Sequence, residues 1–533
     1  MSRPHPWEAL YPPGVRWDAP LAAGTLPALL DAAVAEHGDR DAILFRGERI
    51  TYRELARRVE RAAAALAPYV RPGDRVALLL HNTPWHPVAF FAVLRLGGVV
   101  VHLSPLDPPR AHAHKLADSG ARVLVTTNLP PMLPAALALR AEARLDALLV
   151  GEDPAGLPIP EGCLRLDSDE PAPAVAPVRE GDLAVLQYTG GTTGEPRAAM
   201  LTHANLTSAV SSYRAWSWGG PRETRPGDRA MLVLPLFHIY ALTAVMLRGL
   251  ASGAALLLRE RFDAGQALRD IAEGCAHFAG VPTMWIAVAS HPGAAETDFS
   301  RLRTASSGGA ALPHEVGERL RALTGQRIGG GWGMTETSPA GTNLLPDQDA
   351  EQGEIGVPLP GIELDVVDPA DPARALPPGA VGELRVRGPN VTAGYWNRPE
   401  ETRAAIQDGW LLTGDVGLMR PDGRFLIVDR KKDMLISGGF NVYPRRVEEA
   451  IHEHPDVREA AVIGVPDPYR GEAAHAFVVL REGAGEMTLD ALRLFLADKL
   501  GRHELPAGLT LRDGLPHTAV GKIDKRGLRS AAT

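Results

Sequence analysis

The sequence predicts an α/β protein with a large N-terminal domain of βα-wound sheets, a β subdomain attached to it, and a small α+β C-terminal domain. Three observations carry this. Short apolar runs alternate with amphipathic runs through the first large stretch of chain, the signature of buried, mostly parallel sheet. From about Glu363 the texture changes to short strands joined by Pro/Gly turns. From Lys431 a last unit of about a hundred residues, a common domain size, has its own helix and strand pattern. A chain of 533 residues is also too long for one ordinary core.

The elements follow in order. Tyr52–Tyr69 reads as a helix, Arg75–Leu80 as a strand, Trp85–Leu96 as a helix, Val99–Leu103 as a strand, Ala111–Ser119 as a helix and Arg122–Thr126 as a strand. A Pro- and Ala-rich stretch, 154–177, reads as an extended surface connection. Strands are then expected at Leu183–Tyr188, Arg229–Leu234, Ala254–Leu258, His277–Ala279 and Arg303–Ser306, with helices between. The β subdomain contributes Ile362–Val367 and Gly382–Arg387. The last unit contains helices at Arg445–His454 and Leu489–Leu500 and strands at Ala460–Val465 and Ala474–Leu480. No internal repeat or heptad seam is evident.

Bulk numbers exclude several functions. A hydrophobic share of 45% and a charged share of 23% are those of a soluble globular protein. A formal net charge of -8 argues against a nucleic-acid partner, which needs a basic stripe. There is no apolar run long enough for a transmembrane helix, and Met1–Leu10 lacks the apolar segment of a secretory signal. Cys163 and Cys275 are far apart and form no CxxC pair, so a reducing, cytoplasmic setting is expected, without disulfides or a cysteine zinc site. His112 and His114 stand two apart in a helix and read as solvated histidines. The basic residues are nearly all arginine, as codon bias would produce. Four of the six lysines fall in two tight sites, Lys431–Lys432 and Lys522–Lys525. Lysine is a compact point charge that suits reaching a phosphate or a carboxylate.

The strongest local signal is Gln187–His203, QYTGGTTGEPRAAMLTH. A strand ends at Tyr188, a loop with two Thr–Gly alternations follows, and a helix is expected to start near Thr202. Glycines let successive backbone N–H groups converge, and threonine hydroxyls add donors, so the loop suits phosphate oxygens. The GK[ST] ending of a Walker A loop is absent.

TGGTTGEP resembles the phosphate-binding motif of the adenylate-forming superfamily, which includes acyl-CoA synthetases, peptide-synthetase adenylation domains and beetle luciferases. The resemblance continues in order through GWGMTETSP (Gly331–Pro339), GELRVRGPNVTAGYWNRPEET (Gly382–Thr402), LTGD (Leu412–Asp415), DRKKDMLISGGFNVYPRRV (Asp429–Val447) and LPHTAVGKIDKR (Leu515–Arg526). It therefore covers Tyr188 to Arg526, well over half the chain.

What the resemblance implies is an ATP-dependent acid–CoA ligase that makes an acyl-adenylate and then an acyl thioester, with ATP, Mg²⁺ and CoA as cofactors. Both ATP and the acid are anions, so the chemistry needs charge screening and positioning. By resemblance, Thr189, Gly190, Gly191, Thr192, Thr193 and Gly194 grip the triphosphate. Gly331 and Trp332 border the adenine, with Trp332 where the family usually has tyrosine. Thr335 contacts the α-phosphate, Glu336 ligates Mg²⁺, and Asp415 holds the ribose hydroxyls with Arg430 nearby. Lys522 stabilises the pentavalent phosphate. The resemblance further implies that the C-terminal domain is mobile, with 1–430 as the AMP-binding domain and 431–533 as the moving one. Lys432 sits at the hinge, and Ser437, Gly438, Gly439 and Phe440 line the thiol channel. The chain departs from the family at Pro196-Arg197-Ala198, where PKG is usual. Arginine keeps the charge with a different geometry.

The acyl pocket is less stereotyped. PLFHIYAL (Pro235–Leu242) resembles the gate of fatty acyl-CoA ligases and places His238 near the carboxylate or the channel mouth. A partly buried histidine at a helix start is the alternative. Gly308, Gly309 and Ala310, with Gly329 to Gly331, leave room for a bulky or long acid. The spelling is most similar to medium- to long-chain fatty-acid–CoA ligases. An aryl acid, and an acyl carrier protein in place of CoA, remain open, as does a nucleotide-binding relative without activity. No oligomeric state is read from the sequence.

Overall fold

The computed structural model describes residues 5–532 apart from 174–175, 190–195, 218, 310–311, 347, 349, 352, 438–439, 468–469 and 518–522. The chain divides into two compact units. The first comprises Met1–Ala350, Gly356–Glu363 and Val386–Leu411, and the second Glu351–Ile355, Leu364–Arg385 and Leu412–Thr533.

Among the described residues the first unit holds two seven-stranded sheets. In one, Gly329–Gly330, Thr304–Ser307, Cys275–Gly280, Arg229–Leu232, Ala255–Leu258 and Asp41–Phe45 lie side by side and parallel, and Glu48–Thr51 closes the edge antiparallel. In the other, Leu164–Arg165, Ala147–Gly151, Val123–Thr127, Arg75–Leu79, Val99–Leu103 and Leu183–Thr189 are parallel, and Arg197–Thr202 is antiparallel at the edge. Parallel strands buried on both faces need continuous apolar runs, which VVVHL and ALLVG supply.

Helices fill the space around these sheets. Helix Tyr52–Leu66 buries Leu55, Val59, Ala62 and Leu66 at helical spacing, and Thr51 Oγ1 caps it by accepting from Glu54 N at 3.2 Å. Such a cap contributes about 1 kcal/mol. Helix Trp85–Arg95 is buried from His86 to Leu94, as a helix apolar on nearly every side must be. Tyr52, Phe90 and Phe91 anchor one continuous core cluster.

The second unit carries the β-subdomain strands in the order Phe425–Arg430, Trp410–Met419, Gly382–Arg387, Glu363–Asp368 and Asp371–Ala375. It also holds the C-terminal sheet Phe440–Val442, Leu435–Ser437, Gly471–Leu480 and Val457–Asp467, with Gly508–Leu511 parallel to Gly471–Leu480. Helices Pro444–His452 and Leu489–Leu496 pack into its core through Val447, Ile451, Leu492 and Leu496. No helix among the described residues is long and apolar enough to cross a membrane.

The helix expected near Thr202 begins at His203, and strand Arg197–Thr202, antiparallel to Leu183–Thr189, precedes it. Ala198, Ala199 and Leu201 are buried there. His112 is not solvated but buried, and its Nε2 donates to Ser104 O at 2.7 Å. The helix expected over Tyr52–Tyr69 stops at Leu66, and a turn follows from Ala67 to Tyr69. The edge hairpin Asp41–Phe45 and Glu48–Thr51 was not anticipated.

Candidate active site

The hairpin strand Arg197–Thr202 is stitched to the loop that follows Gly388. Trp396 N donates to Ala198 O at 2.9 Å, Thr392 Oγ1 to Met200 O at 2.7 Å, and Asn205 Nδ2 to Pro389 O at 2.8 Å and Val391 O at 2.9 Å. This loop in turn holds Glu336. Thr392 N donates to Glu336 O at 2.7 Å, and Tyr395 Oη donates to Glu336 Oε1 at 2.8 Å. The Arg197 guanidinium lies 4.3 Å from the centroid of the Tyr395 ring, a cation–π contact that contributes about 0.5–2 kcal/mol. Burial, with the Glu336 carboxylate beside it, pushes the Tyr395 phenol far above its ordinary range, so Tyr395 stays a donor.

Glu336 itself is 5% exposed and sits in a single 3-10 turn, Thr335–Thr337, with Thr335 half-buried next to it. Among the described residues no group of three or more His, Cys, Asp or Glu gathers to hold a metal. A cation here would combine the one Glu336 carboxylate with substrate oxygens. That is how Mg²⁺ is usually held beside phosphates, so the residues present fit it.

Trp332 is buried, with its backbone N–H donating to Thr342 Oγ1 at 3.0 Å. Gly331 is required by the chain itself, since a Cβ there would meet Thr342 O at 2.1 Å. A side chain at Gly308 would meet the Tyr240 ring at 2.8 Å, so Tyr240 occupies the space beside that glycine. Tyr240 Oη is 3.4 Å from Ser306 Oγ. His238 is half-buried, and its Nδ1 accepts from Tyr240 N at 3.2 Å, so the neutral ring carries its proton on Nε2. The helical segment after it, Tyr240–Leu247, is π-helical, a form often found at functional sites.

In the second unit, Asp415 and Arg430 face each other across paired strands, with Arg430 Nε 2.6 Å from Asp415 Oδ1. Lys432 is exposed, and Ser437 is buried with no hydrogen-bond partner for its hydroxyl. Lys431 pairs with Glu383 at 2.7 Å and Lys525 with Glu448 at 2.7 Å, so these two lysines are committed to protein carboxylates. Gly190, Gly191, Thr192, Thr193, Gly194, Ala310, Gly438, Gly439 and Lys522 lie outside the described residues, as does the Phe440 side chain. Thr189 ends its strand with Oγ1 donating to Arg197 O at 3.3 Å. Gly309 takes φ +81°, which glycine adopts freely.

Asp429 is the acidic group next to the proposed hinge. Its carboxylate accepts from Arg445 N at 2.8 Å and Arg430 N at 2.6 Å, yet burial outweighs these bonds and nearby Lys525, and raises its pKa from 3.8 to about 6. The folded state thus holds the proton more tightly than the unfolded chain. Ionisation between pH 4 and 6 costs the fold about 3 kcal/mol. Asp429→Asn removes this cost. Its stability relative to wild type is expected to rise by about 3 kcal/mol from pH 4 to pH 7 in urea unfolding of the full chain. A fall over the same range would show that Lys525 makes Asp429 a stabilising anion.

The sequence motif included Tyr395, but nothing in its spelling showed the bond to Glu336. A buried tyrosine needs a partner for its hydroxyl, and that rule alone pointed to one.

Residues 30–396 match the AMP-binding enzyme family and residues 446–522 its C-terminal domain, and the chain belongs to that family. It is 36% identical to a long-chain-fatty-acid–CoA ligase of Bacillus subtilis, over 100% of this chain and 99% of the other. It is 39% identical to a feruloyl-CoA synthase of Amycolatopsis, over 92% of this chain and 95% of the other. ATP-bound MatB from Rhodopseudomonas palustris is similar in structure, with a TM-score of 0.84 at 30% identity, covering 95% of this chain and 98% of that one.

Proposed function

We propose that this AMP-forming acid–CoA ligase activates a medium- or long-chain fatty acid. The observation that carries the reading is the full-length likeness to the Bacillus long-chain ligase. The segment Pro235–Leu242 supports it through its resemblance to the gate of fatty acyl-CoA ligases, and Leu236, Ile239 and Leu242 anchor it in the core on either side of His238. The likeness to a feruloyl-CoA synthase supports an aryl acid as the second reading. A cytoplasmic setting fits the two free thiols, Cys163 and Cys275.

In this reading Glu336 holds Mg²⁺ against the triphosphate, and the metal screens its negative charge. Tyr395 fixes the orientation of that carboxylate. Asp415 accepts from the ribose hydroxyls, while Arg430 pairs with it and holds it in place. His238 presents Nε2–H toward the acid. Lys522 supplies positive charge during adenylation. The boundary near 430/431 then lets residues 431–533 move, with Lys432 as hinge, and Ser437 to Phe440 line the path of the thiol.

The test is pyrophosphate release with ATP and Mg²⁺ across fatty and aryl acids, each with and without CoA. Release that rises with CoA and gives acyl-CoA from fatty acids supports the reading. Release only with aryl acids replaces the substrate class. Release without acyl-CoA points to an acyl carrier protein as acceptor, and none with any acid overturns the reading.

A further inference from the structure

His86, His102 and Gln187 form a hydrogen-bonded line that the chemistry above does not use. His86 lies at the start of helix Trp85–Arg95, His102 in strand Val99–Leu103, and Gln187 in the neighbouring strand Leu183–Thr189. The parallel register pairs Val101 with Leu186, which sets positions 102 and 187 side by side. His86 Nε2 is 3.2 Å from His102 Nε2, and His102 Nδ1 is 3.0 Å from Gln187 Oε1. Gln187 Nε2 donates to the Phe237 carbonyl at 2.8 Å. All three side chains are buried.

The last member fixes the direction of the whole line. A carbonyl only accepts, so Gln187 turns its NH₂ to Phe237 and its oxygen to His102. His102 then donates from Nδ1, and in the neutral ring its Nε2 accepts. His86 donates from Nε2, which leaves its Nδ1 as a bare lone pair. Among the described residues His86 Nδ1 is the ring nitrogen of the line without a hydrogen-bond partner. Burial holds His102 down to about 4 and His86 well below its ordinary value, so both rings stay neutral near pH 7. The Phe90 ring lies parallel to His102, with centroids 6.1 Å apart.

Three polar side chains in an apolar core are costly unless every donor is matched. Here the bonds run in one direction, and the line ends on the backbone immediately before His238. We propose that His86, His102 and Gln187 are positioning residues that fix the Phe237–His238 backbone and so govern which acids the pocket accepts. This rests on the reading of Pro235–Leu242 as acyl-pocket wall.

The experiment compares full-length His102→Leu, which cuts the line, with His102→Gln, whose amide both donates and accepts. Gln187→Glu is the second variant, since a carboxylate accepts from His102 but cannot donate to Phe237. Pyrophosphate release is measured with octanoate, palmitate and ferulate. The leucine and glutamate variants are expected to raise KM for the acid about tenfold and to shift the kcat/KM ratio between acids about fivefold, with KM for ATP within about twofold of wild type. His102→Gln is expected to restore both quantities. An equal rise in KM for ATP and acid, or unchanged acid KM and ratios in folded variants, overturns the proposal. Where His102→Leu does not fold, Gln187→Glu decides. A wild type that releases no pyrophosphate with any of the acids fails the underlying acyl-site reading instead.

Discussion

Lys522→Ala is expected to lower acid-dependent pyrophosphate release by about 10²–10³-fold, while transfer from a supplied acyl-adenylate to CoA stays within about twofold. The argument is electrostatic. Carboxylate attack on the α-phosphate brings two anions together, and charge builds on the pentavalent phosphate. A single ammonium aimed at that charge acts only in this step. Thioester formation attacks the acyl carbon of the mixed anhydride and expels AMP, so no pentavalent phosphorus forms and that step has no such need. Its neighbour Lys525 cannot replace it, because Lys525 is paired with Glu448 at 2.7 Å. Lys431 is likewise paired with Glu383. Gly439→Leu is expected to give the opposite split, with adenylation retained and CoA turnover reduced at least about tenfold by blocked thiol access. Equal loss of both half-reactions in Lys522→Ala would show that one lysine serves both, and unchanged CoA turnover in Gly439→Leu would remove that residue from the thiol path.

The wound sheets were legible because buried parallel strands leave little freedom of composition. VVVHL reads as a strand in any context, and Val99–Leu103 is the strand found. Arg197–Thr202 was not legible, because AAML has no period that separates strand from helix and its partner strand decides. His112 reads as polar by type, and only the Ser104 carbonyl opposite explains its burial. Glu336, Asp415 and Arg430 are candidates by residue type and motif, and the structure pairs Arg430 with Asp415. The site was illegible where a side chain works through another. Tyr395, Gln187 and His102 owe their roles to partners 59, 50 and 85 positions away. No local pattern encodes such separations.

That dependence of one residue on another can be measured at Glu336. Glu336→Gln keeps the shape and removes the charge. It is expected to lower kcat/KM for ATP about 10²-fold and to raise the Mg²⁺ concentration for half-maximal rate about tenfold. Unfolding would not explain this loss, since replacing a carboxylate that is 5% exposed by a neutral amide leaves no unpaired charge behind. Tyr395→Phe keeps the charge and removes the 2.8 Å bond that aims it. A hydrogen bond to a charged group contributes about 1.5–3 kcal/mol, so a loss of about tenfold is expected, with the same shift toward higher Mg²⁺. The double variant separates two accounts. If Tyr395 acts through Glu336, removing the hydroxyl costs nothing further once the charge is gone, and the double variant matches Glu336→Gln alone. If the two losses multiply, Tyr395 has a separate role, and the orientation of Glu336 is set by the Thr392 backbone bond instead.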